Sequence, residues 1–371
     1  MVIFAQIFFR MREQDFLPKV YANFPEKGKV IWKAPSNIAL VKYWGKRAQQ
    51  IPANPSISFT LDACATTTQL SYEIRGENTS DFSFDLSFDG KSKEDFKPKI
   101  RAFLERVEPY LPHLKRYHFQ IETSNSFPHS SGIASSASGM AALALCFLSI
   151  ERKIQEMEDG FFNRKASFLA RLGSGSACRS IAGDLVQWGY HQDIEESSDL
   201  YGIQYPFKVN QVFKNYHDTI LLVHKGKKQV SSTVGHDLMH QHPFASKRFD
   251  QAHENLAQLK SVLATGDLER FIQIVESEAL TLHAMMMTSI PYYILMLPDT
   301  LEILHKIWRF RKETKIPICF TLDAGANVHV LYPESVEEPA MQFIQDELVV
   351  HCENGHYICD QIGLGAKQIF E

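Results

Sequence analysis

No sign of charge dominates this sequence. Lys and Arg total 39 and Asp and Glu 43, a formal net charge of −4 over 371 residues. That balance exerts no general pull toward nucleic acid or an anionic membrane, although it leaves room for a local basic pocket around a small anion. Long apolar runs are missing too. The apolar stretch Met1–Phe9 is too short to span a bilayer or to form a signal peptide with its flanks. Met11 follows closely, and the first ten residues are expected to be dispensable. The six cysteines (Cys64, Cys146, Cys178, Cys319, Cys352, Cys359) are scattered without a framework, as suits a reducing compartment. Internal repeats and low-complexity tracts are absent. What remains is 44% hydrophobic, 22% charged and 12% aromatic, the balance of an ordinary globular protein. Its length suits one large domain or two medium ones.

The first third reads as strand-rich. Phe82, Phe84, Leu86 and Phe88 alternate with polar residues and run into Asp89-Gly90, the pattern of a half-buried strand entering a hairpin. Tyr117, Phe119 and Ile121 alternate likewise, and 56–61 and 66–74 are separate strand-like runs. Small and apolar residues predict a helix from Ala134 to about Ile150, then a charged surface connection over 151–164 and a shorter helix at 165–172. A strand is expected within 213–224, at Thr219–Val223. Further on, Leu268, Phe271, Ile272, Val275, Ala279 and Leu282 line one helical face. Leu256, Leu259 and Leu263 mark a preceding helix, and Gly266 separates the two. Helices are also expected at 297–313 and 337–348, and short strands at 318–322 and 328–331. Non-contiguous strands mixed with helices favour an α+β protein of two lobes with a boundary near 205–215.

Four segments carry candidate chemistry. Ser126 to Gly139 is a Ser- and Gly-rich loop between a strand and a helix. Its free N–H groups and the helix N-terminus favour phosphate, but it reads equally as a flexible turn with a capped helix, and it lacks the Gly-Lys-Ser/Thr of a P-loop. Ala34 to Arg47 sets Lys42 and Lys46 four apart beside Tyr43 and Asn37, either a clasp for a polyanion or a strand with a solvated basic end. Lys42 ends an apolar run, and a buried Lys needs an anionic partner or a shifted pKa. Gly173 to Ser180 places hydroxyls before Arg179, able to meet carboxylate or phosphate or simply to connect helices. Asp323, in Phe320 to Asn327, suits a base or a partner for Lys, as well as an ordinary turn. Two His/Cys groups, His236, His240 and His242, and His351, Cys352, His356 and Cys359, lack structural-zinc spacing and are not read as metal sites. The first reads as a polar loop.

Taken in order, these segments, with Asn54-Pro55-Ser56-Ile57-Ser58 and Ser231 to Gly235, closely resemble the mevalonate diphosphate decarboxylases (diphosphomevalonate decarboxylases). Those belong to the GHMP kinase superfamily, with galactokinase, homoserine kinase, mevalonate kinase and phosphomevalonate kinase. The likeness covers about residues 30–335. The Tyr43-Trp44-Gly45-Lys46 and Gly173 to Ser180 strings are of the decarboxylase branch. The resemblance implies a two-lobed α+β, GHMP-kinase-like fold with the active site in the cleft between lobes. Residues 1–30 would be an N-terminal extension, 31–212 a ribosomal protein S5 domain 2-like ATP-binding lobe, and 213–371 a ferredoxin-like α+β lobe.

It further implies ATP-dependent decarboxylation of mevalonate 5-diphosphate to isopentenyl diphosphate, with ADP, phosphate and CO2, in the mevalonate route of isoprenoid biosynthesis. Asp323 would face the 3-hydroxyl as base or orienting group, with Lys42 beside it. Arg179 would hold the carboxylate, helped by Asn37. Tyr43, Lys46, Ser174, Ser176 and Ser232 would bind the diphosphate end. Gly132, Ala134, Ser135, Ser136 and Ala137 would surround the ATP phosphates, with Ser136 both catalytic and the Mg2+ ligand. A cytoplasmic homodimer without nucleic-acid or membrane partners is implied as well. Pro55 stands where the family usually has Ser, and Ala326 where it has Pro. The rival readings are a relative that only phosphorylates mevalonate derivatives, one that decarboxylates the monophosphate, and a catalytically silent scaffold. Retention of Lys42, Asp323, Tyr43 and Lys46 favours the diphosphate decarboxylase.

Overall fold

The structure is a computed structural model that describes residues 10–19, 21, 23–75, 80–128, 133–226 and 232–370. Met1–Phe9, Gly132 and the side chain of Ser232 fall outside it, and so do the expectations attached to them. In chain order the first part contains β1 (Lys27–Val41), β2 (Ser56–Ile74), β3 (Ser83–Phe88), β4 (Lys91–Ser92), α1 (Lys97–Val107), β5 (Tyr117–Asn125), α2 (Ser135–Ile154), α3 (Asp159–Gly173), β6 (Leu185–Trp188) and β7 (Gly202–Gln204). The second contains β8 (Tyr216–Leu221), α4 (Ser232–Asp237), α5 (Ala245–Thr265), α6 (Leu268–Met287), α7 (Pro298–Thr314), β9 (Cys319–Thr321), β10 (Val328–Pro333), α8 (Glu337–Phe343), β11 (Tyr357–Gln361) and β12 (Lys367–Ile369). The fold is mixed α+β, built on two sheets.

The larger sheet runs β12-β1-β2-β5-β3-β4, with β6 also on β2 and β7 on β6; the smaller runs β11-β8-β10-β9. Among the described residues only β3 with β5 is parallel, and the Asp89-Gly90 turn joins β3 to β4 with both residues at positive φ, as a tight hairpin turn requires. Helix α2 is buried along nearly its whole length from Ala137 to Glu151, so it is apolar on every side and packs between the large sheet and α3.

Three expectations need correction. The runs at 56–61 and 66–74 are one strand, β2, whose pairing with β1 skips from Thr60 to Ala65. At that skip the N–H groups of Asp62, Ala63 and Cys64 donate to the Asp360 carboxylate of β11 at 3.0, 2.8 and 2.7 Å. The bend is thus capped from the other sheet, a partner that local sequence does not reveal. The charged stretch 151–164 is largely at the surface, but the connection within it is only 155–158. Helix α2 runs to Ile154 and α3 starts at Asp159. Glu151 is fully buried and pairs with buried Lys165 at 2.7 Å, while Tyr21 and Gln155 donate to the same carboxylate. The loop expected around His236 is helical, as described below. Helix α1 was not anticipated from the sequence at all.

The chain ahead of β1 packs against α3. Phe16 is completely buried, stacked on Phe168 with ring centroids 4.4 Å apart and edge-on to Tyr201. Truncating a buried Phe costs about 3–5 kcal/mol. Phe16→Ala is therefore expected to lower unfolding free energy by that order in a urea titration.

Candidate active site

Strand β1 is buried on both faces from Ala34 to Val41 and delivers Lys42, 1% exposed, to its end. Lys42 Nζ donates to Asp323 Oδ1 at 3.0 Å. Burial pushes the ammonium pKa down, while Asp323 and then Glu278 pull it back up. Asp323 is partly exposed and lies just past β9, so the two sheets each contribute one member of this pair.

The Lys42 peptide is held on both sides. Its N–H donates to Glu278 Oε2 of α6 at 2.8 Å. Its carbonyl accepts from Arg248 Nη2 of α5 at 3.1 Å and from Asn54 Nδ2 at 2.9 Å. Arg248 and Glu278, both fully buried, pair at 2.5 Å, and Asn255 adds a 2.7 Å donor to Glu278. Sequence reasoning found none of Glu278, Arg248 and Asn255. Their only signal was a charged or polar residue on the apolar side of a helical pattern.

Arg179 sits on the 3-10 turn Gly175–Ser180 after α3. Its guanidinium donates to Ser58 Oγ at 2.5 Å and Ser56 Oγ at 2.7 Å, over the face of Trp188 at 5.7 Å. Ser56 and Ser58, two apart on one face of β2, belong to the Asn54–Ser58 string, where nothing local marks them as partners of an arginine. Asn37 Nδ2 donates to Ser180 Oγ at 2.8 Å and Ser176 O at 3.2 Å, so it braces this turn on both sides of Arg179. Arg179 lies within electrostatic reach of both Lys42 and Asp323.

Around this centre are the remaining candidates. Tyr43 is buried between Trp188 and His236, and its Oη has no hydrogen-bond partner among the described residues. A Cβ at Gly175 would come within 2.7 Å of that oxygen, so only glycine lets the turn lie against it. Ser174 and Ser136 approach each other, Oγ to Oγ 3.4 Å, which brings the end of α3 to the start of α2. Ser135 and Ser136 open α2 after Ala134, whose φ of 39° is left-handed and which offers no side-chain cap. Ala137 is buried in the first turn. Lys46 stands 3.9 Å from Asp237 beside a cavity of about 530 Å3 lined also by Arg47, Arg106 and His240.

His236 belongs to α4 rather than to a loop. It is buried against Tyr43 and Trp44, and its Nδ1 accepts from the Gly45 N–H at 3.0 Å. This fixes the helix that carries Ser232 over the Tyr43-Trp44 segment. No group of three or more potential metal-ligating side chains occurs among the described residues.

Burial also keeps three imidazoles neutral: His113 and His236 are pushed down to about 3, and His283 to about 4. Unfolding releases each to an ordinary value near 6.5. The unfolded state then binds more protons below that pH, so stability falls as pH falls. Each histidine contributes about 1.4 kcal/mol per pH unit, so about 4 kcal/mol is expected to be lost between neutrality and pH 5.5. Denaturant titrations across that range check this, and His113→Phe is expected to remove about a third of the loss.

Two family models match the chain. One is the diphosphomevalonate decarboxylase-like N-terminal domain, over residues 34–199, and the other the mevalonate 5-diphosphate decarboxylase C-terminal domain, over 219–363. The diphosphomevalonate decarboxylase of Debaryomyces hansenii is 31% identical over 84% of this chain and 81% of its own. That of Candida albicans is 29% identical over 84% and 86%. Among solved structures, the mevalonate diphosphate decarboxylase of Staphylococcus aureus superposes with a TM-score of 0.77 at 27% identity, covering 93% of this chain and 98% of the other. A chain named MDDEF, in complex with MVAPP, AMPPCP and magnesium, gives 0.77 at 29% identity over 92% and 99%. With both of its halves matched in order, this chain belongs to the diphosphomevalonate decarboxylase family.

Proposed function

We propose that this protein catalyses the ATP-dependent decarboxylation of mevalonate 5-diphosphate to isopentenyl diphosphate in the mevalonate route of isoprenoid biosynthesis. The observation that carries the reading is the contact between buried Lys42 and Asp323 at 3.0 Å, with Arg179 beside it, in a chain of this family. The working protein is taken to be a cytoplasmic homodimer, on the family resemblance. No helix among the described residues is long and apolar enough to cross a membrane.

In this reading the substrate's 3-hydroxyl oxygen attacks the terminal phosphoryl group of ATP, the bond from that phosphorus to the bridging oxygen breaks to release ADP, and the hydroxyl proton passes toward the Asp323 carboxylate. Lys42, paired with Asp323, is placed to offset charge on the transferring group or to favour the carboxylate of Asp323. Phosphate then leaves C3, the bond to the carboxylate breaks, and its electron pair becomes the new double bond as CO2 departs. Arg179 holds the carboxylate until that step, and Asn37 steadies the Arg179 turn. Tyr43, Lys46, Ser174, Ser176 and Ser232 are assigned to the diphosphate. Tyr43 Oη, without a partner among the described residues, and the three cations Lys46, Arg47 and Arg106 at one cavity, which Glu105 and Asp237 also line, suit an anion there.

Ala134, Ser135, Ser136 and Ala137, with Gly132, are assigned to the ATP phosphates. The start of α2 has no side-chain cap, so the N–H groups of Ser135 and Ser136 are assigned to an anion there, while that of Ala137 already donates to the Ala134 carbonyl at 2.7 Å. Ser136 Oγ is the oxygen assigned to Mg2+. Bound Mg2+ neutralises charge on the transferring phosphoryl group. We also read residues 31–212 and 213–371 as the two lobes, with 1–30 ahead of them.

The test is to incubate the protein with Mg-ATP and mevalonate diphosphate and to quantify ADP and isopentenyl diphosphate by mass spectrometry. Equal amounts support the reading. ADP with a phosphorylated, uncleaved product would make the protein a kinase, and turnover of the monophosphate alone would change the substrate. Asp323→Asn is expected to fold and bind ATP but to lose turnover by about 10²–10⁴-fold. Arg179→Ala is expected to raise KM for mevalonate diphosphate and lower kcat, each at least about tenfold, measured by steady-state kinetics.

A further inference from the structure

The Lys42–Asp323 pair joins two segments that are far apart in sequence, and one helix touches the backbone of both. Helix α6 packs against β1 and β9. Its Glu278 accepts from the Lys42 N–H at 2.8 Å. Its His283 donates from Nε2 to the Asp323 carbonyl at 3.1 Å. The two residues are five apart, about 7.5 Å along the helix axis. They therefore act as fixed points on a rigid element, one for the residue that carries the amine and one for the residue that carries the carboxylate.

His283 is 1% exposed. Its contact with a carbonyl requires an Nε2–H donor, and the neutral state of the ring holds throughout the physiological range. The imidazole does not reach a reacting atom; it holds the peptide from which the Asp323 carboxylate projects. Without that donor the Asp323 peptide loses the hold that α6 gives it, and a turn of the peptide would carry the carboxylate away from Lys42. A misplacement of about 1 Å at a reacting group can cost on the order of 100-fold in rate.

We propose that His283 is the positioning residue for Asp323, holding its carbonyl so that the carboxylate stays on Lys42 Nζ. The kinetic part of this proposal rests on the decarboxylase reading; the geometric part does not. The experiment compares wild type, His283→Leu, His283→Gln and His283→Asn by steady-state kinetics with Mg-ATP and mevalonate diphosphate, and by crystal structures without substrate. Gln places an amide N–H at about the reach of Nε2, Asn falls a methylene short, and Leu has no donor.

The expected result is that Leu and Asn lose kcat at least tenfold. Both KM values should change less than threefold, and the Lys42–Asp323 hydrogen bond should open in the crystal. Gln should keep the bond and recover most of kcat. The proposal is overturned if Leu and Asn keep the bond, or if Gln fails to restore it. It is also overturned if kcat and KM deteriorate together in all three, as a general loss of packing would cause. If the Leu variant fails to fold, the Gln and Asn variants give the same comparison. A wild type without turnover defeats the decarboxylase reading alone, because the crystal structures still decide whether His283 places Asp323.

Discussion

The burial of one ammonium group, that of Lys42, constrains this molecule more than any other interaction. A lone charge at that depth is costly, and the surrounding structure answers it in layers. Asp323 meets the amine directly. Glu278 meets the backbone N–H and adds a second negative charge nearby. Glu278 then needs its own counter-charge, which Arg248 provides, and Arg248 turns back to the Lys42 carbonyl. The result is a closed polar network in which every member depends on the others. Removing one partner from such a network leaves an uncompensated buried charge, which is more damaging than the loss of any single bond.

The same requirement explains why the two sheets cannot pack independently. Lys42 comes from the end of β1 in the large sheet, whereas Asp323, Glu278, Arg248 and His283 all come from the second half of the chain. A second tie, Asp360 against three successive N–H groups of β2, fixes the sheets near the bend of that strand. The third is β12, which returns the chain end to β1. These contacts hold the Arg179 turn, the Ser-rich start of α2 and the Asp323 loop in one frame.

A second cluster of buried charge, Glu151 with Lys165, Tyr21 and Gln155, lies away from that centre. It misled sequence reading for a simple reason. Charged residues in a short stretch signal solvent unless a partner neutralises them, and here the partners come from α3 and from the segment ahead of β1. His236 misled it likewise. Its polar neighbours and Pro243 suggested a loop, but the ring is an acceptor for Gly45 packed between two aromatic side chains.

Sequence by itself determined the periodic elements and the chemistry available at each segment. The alternation before Asp89-Gly90, the apolar face of α6 and the small-residue run of α2 depend on neighbours a few positions away, so they are legible locally. The short strings holding Lys42, Arg179, Asp323 and the serines of 135–136 each read two ways alone, and they became legible only together, in the order that resembles the family. Only the tertiary structure decided which of these strings meet. It put Lys42 on Asp323, 281 residues away in sequence, joined two runs into one bent β2, and recruited Ser56, Ser58, Glu278, Arg248 and His283. Ser56, Ser58 and His283 are ordinary in their own segments, and Glu278 and Arg248 stand out only as charges on the apolar side of a helix. Each acquires its role from the need of a buried polar group for a partner, and that need is met across space, where sequence separation carries no information.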